Sequence, residues 1–275
     1  MSSTSTRVTG GVEDRATYAL SNGSDHATDR LVALDHFLDP VTTSVLDRLR
    51  VQPGDRCLEI GPGSGSIAWD LAGRVGPTGE VVAVDLDPSR LTPAGNLHIY
   101  RHDIRDGLPV GGPYNVIHAR LVLVHLPERR QVLRMLADAL APGGWLVIGD
   151  FGDTTMPVYT SPSASDTDLY TRVVQGVQRV LEGHGVDMAW ADDTHAAMRD
   201  AGLRNVDVVE HAESWTGGST GIRMHQANTR QTQDELLQHG ITAADLDRFR
   251  ELMEHPDFAA RSYRFVCTRG QRPPL

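Results

Sequence analysis

The chain has 275 residues, 40% of them hydrophobic, and a formal net charge of −10 at pH 7. This length and composition predict one large α/β domain with appendages and argue against a disordered or fibrous protein. The negative charge argues against sequence-independent binding of nucleic acid, because neutralising phosphates requires a positive face. All 26 basic residues are Arg, which excludes Schiff-base chemistry and the phosphate-binding lysine of P-loop enzymes.

Cysteine usage and the N-terminus predict a cytoplasmic location. Cys57 and Cys267 lie far apart in apolar contexts, which predicts two buried, reduced thiols. The N-terminus lacks a basic start followed by an apolar core, and no run of 18 apolar residues occurs, so we expect neither a signal peptide nor a membrane span. The sequence contains no HExxH, CxxC or clustered acid–His pattern, so we predict that the protein needs no metal ion. Whether the chain forms a homo-oligomer stays open at this point.

The first 50 residues divide into two parts. Residues 1–11 are small and polar, which predicts a disordered N-terminus. Residues 12–50 predict a helical lead-in that acts as a lid. From Asp29 to Arg50, apolar residues recur at three- and four-residue spacings, with a break or kink expected near Pro40.

Residues 51–275 predict one Rossmann-like domain with two helical insertions, at about 155–190 and 215–256. Apolar strands alternate with helices from RCLEI to GWLVIGDF, which predicts a parallel sheet covered on both faces. After a polar linker, SPSASDTD, the pattern changes to helices, a strand RNVDVVEHAESW, a long helical passage and a last strand RSYRFVCTRG. These two strands should pair antiparallel at the edge of the sheet.

The glycines after the first strand predict a ligand-binding loop. CLEIGPGSG places Gly61, Gly63 and Gly65 at alternate positions between an apolar run and a predicted helix. Counted from Gly63, the loop fits the dinucleotide pattern G-x-G-x-x-A, whereas counted from Gly61 it fits a different cofactor class. The second register is favoured by Glu59, two residues before the first glycine, and by Pro62, which offers no N–H to a pyrophosphate.

Acidic residues follow the next two predicted strands. Asp85 ends the second strand, where a carboxylate can accept hydrogen bonds from both hydroxyls of a ribose. The alternative is that Asp85 caps the following turn, although Asp87 suits that role better. Asp103 follows the third strand and can accept from an adenine amino group, while Ile104 offers its N–H and an apolar side chain to the ring.

These motifs, in this order, resemble those of the class I S-adenosylmethionine-dependent methyltransferases. The family pattern runs ExGxGxG, an acid after strand two, D-[apolar] after strand three, a segment like YNVIHARLVLVHL and LxPGGWLVI, and residues 51–153 contain all five. The resemblance is to bacterial small-molecule members, which act in specialised metabolism. It implies a doubly wound, mostly parallel seven-stranded sheet with an antiparallel last strand, and S-adenosyl-L-methionine as the cofactor.

The resemblance also implies which residues bind the cofactor. It assigns the methionine portion to the glycine loop and the end of strand four, the ribose and ring edge to the end of strand two, and the adenine to the turn after strand three. The residues concerned are Glu59, Gly61, Gly63, Gly65, Ala119, Arg120, Asp85, Leu86, Asp103 and Ile104. For Arg120 a surface salt bridge is an equal alternative.

Two residues are candidates for catalysis. Methyl transfer by in-line displacement requires the nucleophile about 3–3.5 Å from the methyl group, and a base only when the acceptor must lose a proton. His125, after the LVLV run, is the candidate base, with a packing or helix-start role as the alternative. Tyr18 in the lead-in either contacts the sulfonium or only covers the cofactor. His118, inside a strand, is predicted to be a core residue.

The acceptor is predicted to be a small organic metabolite, because a helical lid over the strand ends suits a molecule that can be enclosed. Oxygen, nitrogen and carbon acceptors stay open. The predicted acceptor-binding residues are Phe151, Tyr170, Trp215, Met224 and His225. Two other functions are considered: a nicotinamide-dependent oxidoreductase, which leaves Glu59 and Asp103 unexplained, and a catalytically silent cofactor-binding protein.

Overall fold

The computed structural model describes residues 27–152 and 155–275. Residues 1–26 lie outside the described residues. They include the predicted disordered N-terminus, the start of the lead-in and Tyr18. The helices are α1 (Ala27–Leu49), α2 (Ser66–Val75), α3 (Arg129–Asp138), α4 (Ala164–Gly183), α5 (Trp190–Asp200), α6 (Arg223–Gln231), α7 (Gln233–Gln238) and α8 (Ala243–Leu252). The strands are β1 (Arg56–Ile60), β2 (Glu80–Asp85), β3 (Leu97–Arg101), β4 (Tyr114–Arg120), β5 (Leu140–Phe151), β6 (Val158–Thr160), β7 (Arg204–His211), β8 (Ser214–Thr216), β9 (Ala259–Arg261) and β10 (Phe265–Gln271).

Seven strands form one sheet in the order β3-β2-β1-β4-β5-β10-β7. The first five pair in parallel, and β10 pairs antiparallel with both β5 and β7. The predicted sheet, including its antiparallel last strand, is therefore confirmed. The strand order reverses between β1 and β4, and in such sheets ligands bind in the crevice outside the carboxyl ends of the strands at that point.

Helices cover both faces of the sheet, as expected for apolar parallel strands. On one face, the apolar sides of α1, α4, α6 and α8 share a core with β5 and β10. On the other face, α3 and α5 pack against β4 and β5. Among the described helices, none is both long and apolar enough to cross a membrane.

Two of the predicted helix boundaries are wrong. Helix α1 continues through Pro40, so the predicted break is wrong, and residues on both sides of Pro40 pack into the same core; the alternative of a kink stays a prediction. Helix α4 begins at Ala164, inside the predicted polar linker. The reason is local: the Ser163 hydroxyl accepts a hydrogen bond from the Asp166 N–H at 3.1 Å and caps the helix.

The two strands predicted after the polar linker, observed as β7 and β10, are both shorter than predicted. The segment RNVDVVEHAESW divides into β7, in the large sheet, and β8, which belongs to a separate three-stranded sheet of order β6-β9-β8. The long helical passage after it divides into α6, α7 and α8. Gly240, with φ +85°, allows the chain to turn between α7 and α8.

Candidate functional site

A cavity of about 370 Å³ lies at the carboxyl edge of the sheet, a size typical of small-molecule sites. It lies beside α1 and is bounded by the ends of β1, β2 and β4 and by the turn after β3. It brings together most of the predicted cofactor residues and the predicted base: Glu59, Gly61, Gly63, Asp85, Leu86, Asp103, Ile104, Arg120 and His125. Gly65 and Ala119 do not line it. Gly65 precedes α2, and Ala119 is buried inside β4.

The glycine loop requires glycine for backbone conformation and for space. Gly61, Gly63 and Gly65 have φ of +64°, +56° and +94°, a region that residues with a Cβ rarely adopt. A Cβ on Gly61 would lie 2.4 Å from the Val122 Cγ2 atom, and one on Gly65 would lie 2.6 Å from the Leu91 Cδ2 atom. The loop therefore packs tightly between its neighbours and leads directly into the N-terminus of α2.

Glu59 is a buried carboxylate with a histidine partner. It is 2% exposed, lies at the end of β1 and lines the cavity. The His118 Nδ1 atom lies 2.7 Å from the Glu59 Oε2 atom. The two residues are Cα partners in the pairing of β1 with β4. His118 is fully buried, as predicted for a core residue, but it also forms a polar contact with a cavity residue.

Asp85 both faces the cavity and organises the turn that follows it. Its carboxylate accepts a hydrogen bond from the Asp87 N–H at 2.9 Å, so the turn-capping alternative is also realised. Burial raises the pKa of Asp85 above its usual value, and hydrogen bonds from backbone N–H groups, including that of Gly63, oppose this rise. The carboxylate therefore lies within reach of both the glycine loop and a ligand in the cavity.

The Asp103 carboxylate is already paired with Arg105. The Arg105 Nη2 and Nε atoms lie 2.6 and 3.0 Å from the Asp103 Oδ2 atom, and the Arg105 N–H donates to Oδ1 at 2.9 Å. Burial raises the pKa of Asp103, but the hydrogen bonds and charge of Arg105 outweigh it and hold the pKa below its usual range. Arg105 also lines the cavity and was not predicted.

Arg120 links the sheet to α1. Its Nη1 atom lies 2.7 Å from the Asp39 Oδ1 atom, and its Nη2 atom lies 3.2 Å from the Asp35 Oδ1 atom. The Arg120 side chain is only 11% exposed, so these ion pairs are shielded from solvent. Asp35 also lines the cavity, and its pKa is raised, chiefly by burial. Arg120 thus both forms the predicted salt bridge and borders the cavity.

His125 lines the cavity from the short 3₁₀ turn after β4. Burial is the main cause that lowers its pKa to about 3, and the positive charges of Arg30 and Arg129 lower it further. The imidazole is therefore neutral at pH 7. With this pKa it is a much weaker base than an ordinary histidine.

Four further residues, which were not named individually as candidates from the sequence, also line the cavity. Arg30 of α1, Leu126 and Pro127 after β4, and His184 at the end of α4 contribute to it. The His184 Nε2 atom lies 2.9 Å from a carboxylate oxygen of Glu235. Arg30 and His184 lie in two helical segments that the sequence predicts to be near the acceptor, the lead-in and the insertion at about 155–190, but no motif singles out these two residues.

The predicted acceptor-binding residues lie in the core and do not line the cavity. Tyr170, Trp215, Met224 and His225 are at most 2% exposed and pack between α4, α6 and the sheet. The His225 ring nitrogens lie 3.2 Å from the Tyr170 hydroxyl and 3.3 Å from that of Tyr263.

Phe151, at the end of β5, stacks on Tyr263 with ring centroids 4.8 Å apart. The structure therefore gathers these five residues into one aromatic region but keeps it apart from the cavity. Their role in acceptor binding stays a prediction. Within residues 27–152 and 155–275, no three His, Cys, Asp or Glu residues are grouped as metal ligands require. The lack of a metal requirement also stays a prediction.

Comparisons with known proteins agree on one family. The family described as a methyltransferase domain matches residues 34–208. The 27-O-demethylrifamycin SV methyltransferase of Amycolatopsis mediterranei is 30% identical over 263 residues, covering 86% of this chain and 85% of that protein. Methyltransferase str2 of Strobilurus tenacellus is 40% identical over 98 residues, 34% of this chain and only 35% of that protein. The structure of phosphoethanolamine N-methyltransferase 2 of Haemonchus contortus has a TM-score of 0.56 at 14% identity, covering 92% of this chain and 59% of that one.

Proposed function

The chain belongs to the class I S-adenosylmethionine-dependent methyltransferases, and we propose that it transfers a methyl group from S-adenosyl-L-methionine to a small organic metabolite by in-line displacement. The observation that carries the proposal is the meeting of Glu59, Asp85 and Asp103 with the glycine loop around one cavity at the carboxyl edge of the sheet. Family membership supports neither the nicotinamide-dependent oxidoreductase nor the catalytically silent protein.

The residues around the cavity suit the parts of this cofactor. The loop N–H groups and the N-terminus of α2 suit its carboxylate, and the Glu59 carboxylate suits its ammonium group. The Asp85 carboxylate suits the two ribose hydroxyls. Asp103 has two oxygens and can therefore accept from an adenine amino group while it stays paired with Arg105. Ile104 offers an apolar surface to the adenine ring.

When bound, the cofactor supplies a methyl group activated by its sulfonium. The remaining task of the protein is to aim the acceptor at that group and exclude water. We propose that His125 orients the acceptor by a hydrogen bond, because a pKa of about 3 makes its imidazole a poor proton acceptor at pH 7. A contact between Tyr18 and the cofactor stays a prediction.

The acceptor is proposed to bind against Arg30, Leu126, Pro127 and His184, which line the same cavity and are not assigned to the cofactor. The relative from Amycolatopsis mediterranei acts, by its name, on a demethylrifamycin. This similarity supports an acceptor from bacterial specialised metabolism. A cytoplasmic location and the absence of nucleic-acid binding stay predictions from the sequence, and whether the chain forms a homo-oligomer stays open.

Two measurements test the proposal. Calorimetry with S-adenosylhomocysteine and with NADH should show binding and thermal stabilisation by the first ligand only. The protein is then incubated with methyl-labelled S-adenosylmethionine and an extract of the source cells, and mass spectrometry should find a small molecule that has gained one labelled methyl group. The same extract without the protein is the control. Stabilisation by NADH alone would contradict the proposal.

A further inference from the structure

The end of β1 and the middle of β4 hold a buried carboxylate and an imidazole side by side. Glu59 is 2% exposed and His118 is 0% exposed, and the Nδ1 and Oε2 atoms lie 2.7 Å apart. A buried carboxylate requires hydrogen-bond donors. Within the described part of the chain, His118 makes the one side-chain hydrogen bond to Glu59. On its other side, His118 pairs with Val147 of β5.

The position of the shared proton follows from the second ring nitrogen. Over residues 27–152 and 155–275, the buried Nε2 atom of His118 has no hydrogen-bond partner. An imidazolium, or a neutral ring protonated at Nε2, would bury an N–H group without an acceptor, which is more costly than burying a lone pair. A hydrogen bond in which the His118 Nδ1–H group donates to the Glu59 carboxylate leaves no buried ring N–H group without an acceptor.

In this arrangement His118 adds no positive charge beside the Glu59 carboxylate, which lines the cavity. The nearby cation on β4, Arg120, is already compensated by Asp35 and Asp39. Glu59 lines the cavity, whereas His118 lies behind it and does not.

We propose that His118 is a positioning residue for cofactor binding: as a neutral donor it holds the Glu59 carboxylate in place, and keeps it charged, to receive the ammonium group of the methionine portion. This inference rests on the proposed function. It predicts that His118 affects ligands that carry the amino-acid group and does not affect ligands that carry only the nucleoside.

Calorimetry with two ligands tests this prediction. S-adenosylhomocysteine contains the amino-acid portion, whereas 5′-methylthioadenosine has the same nucleoside and thioether without it. His118→Leu should weaken binding of S-adenosylhomocysteine about 10- to 100-fold, as expected for losing a hydrogen bond to a charged group. Binding of 5′-methylthioadenosine should not change. His98→Leu, a substitution at a half-exposed histidine of β3, is the matched control and should affect neither ligand.

A pair of amide variants keeps the test decisive if His118→Leu does not fold. His118→Asn places an N–H donor near the Nδ1 position and should retain S-adenosylhomocysteine binding. His118→Gln places its donor near the Nε2 position and should lose it. In ¹⁵N NMR spectra of the wild-type protein at pH 7, His118 should be neutral and protonated at Nδ1.

Three results would overturn the inference: equal losses for both ligands, equal affinities of the two amide variants for S-adenosylhomocysteine, or an imidazolium at His118. Failure of the wild-type protein to bind S-adenosylhomocysteine would instead contradict the proposed function. The NMR measurement needs no ligand, so the two failures are distinguishable.

Discussion

Gly61→Ala tests whether the first glycine of the loop is required for both conformation and space. Gly61 has φ +64°, and a Cβ there would lie 2.4 Å from the Val122 Cγ2 atom. The left-handed conformation costs an L-residue about 1–2 kcal/mol, and overpacking typically adds about 1–3 kcal/mol. We therefore expect Gly61→Ala to lower the free energy of unfolding by about 2–5 kcal/mol and to weaken S-adenosylhomocysteine binding.

The two contributions are separable with a second substitution. Val122→Ala removes the Cγ2 atom. The next nearest atom, the Val122 Cβ, lies 3.8 Å from the position of a Cβ on residue 61, which is an ordinary contact. In Gly61→Ala/Val122→Ala the overlap is gone but the backbone strain stays. We expect the double variant to be about 1–3 kcal/mol more stable than the sum of the single effects.

Urea unfolding and calorimetry of the wild type and the three variants measure this coupling. Gly73→Ala is the matched control, because Gly73 lies inside α2, has nothing within 4 Å of its Cβ position and lacks a positive φ. It should stabilise the protein by about 0.5–1 kcal/mol. Additivity within about 0.5 kcal/mol would refute the role of Val122, and a fully stable Gly61→Ala would refute both contributions.

Two further predictions concern a charge in the cavity and a buried histidine. Asp85→Ala should weaken S-adenosylhomocysteine binding by about 1–3 kcal/mol, because it leaves two ribose hydroxyls without their acceptor; unchanged affinity by calorimetry would remove Asp85 from the site. Burial lowers the pKa of His225 to about 3, so between pH 3 and pH 6.5 the unfolded chain binds the extra proton. The contribution of His225 to stability is therefore complete above pH 6.5 and should fall by about 2 kcal/mol by pH 5. His225→Phe should flatten the pH dependence of the unfolding free energy by that amount, and an unchanged slope would contradict the reasoning.

The central sheet and much of the cavity could be predicted because their signals are local. Apolar strands separated by helices indicate a parallel sheet, and parallel strands bring their carboxyl ends to one edge. Residues at or just after the carboxyl ends of different strands, namely Glu59, Asp85 and Asp103, therefore meet although they are far apart in sequence.

The predicted acceptor-binding region shows where local reasoning stops. Met224 and His225 lie in a passage predicted to be helical, and Trp215 ends the strand predicted before it. Periodicity shows that a helix has an apolar side but not which surface that side covers. In the structure this side packs into the core above β5 and β10, whereas Arg30 and His184 reach the cavity from helices with no recognisable motif.

By itself, the sequence determined the family, the order of the strands along the chain and the ligand loop, because each depends on residue types at short, fixed spacings. Only the tertiary structure decided what those residues contact. From the sequence, His118 is only a histidine in an apolar strand, whereas in the structure the register of β1 with β4 places it against Glu59. From the sequence, Arg120 could be a surface cation, whereas in the structure it pairs with Asp35 and Asp39 of α1. Such contacts join segments separated by 59 or more residues, and no local pattern specifies the geometry that joins them.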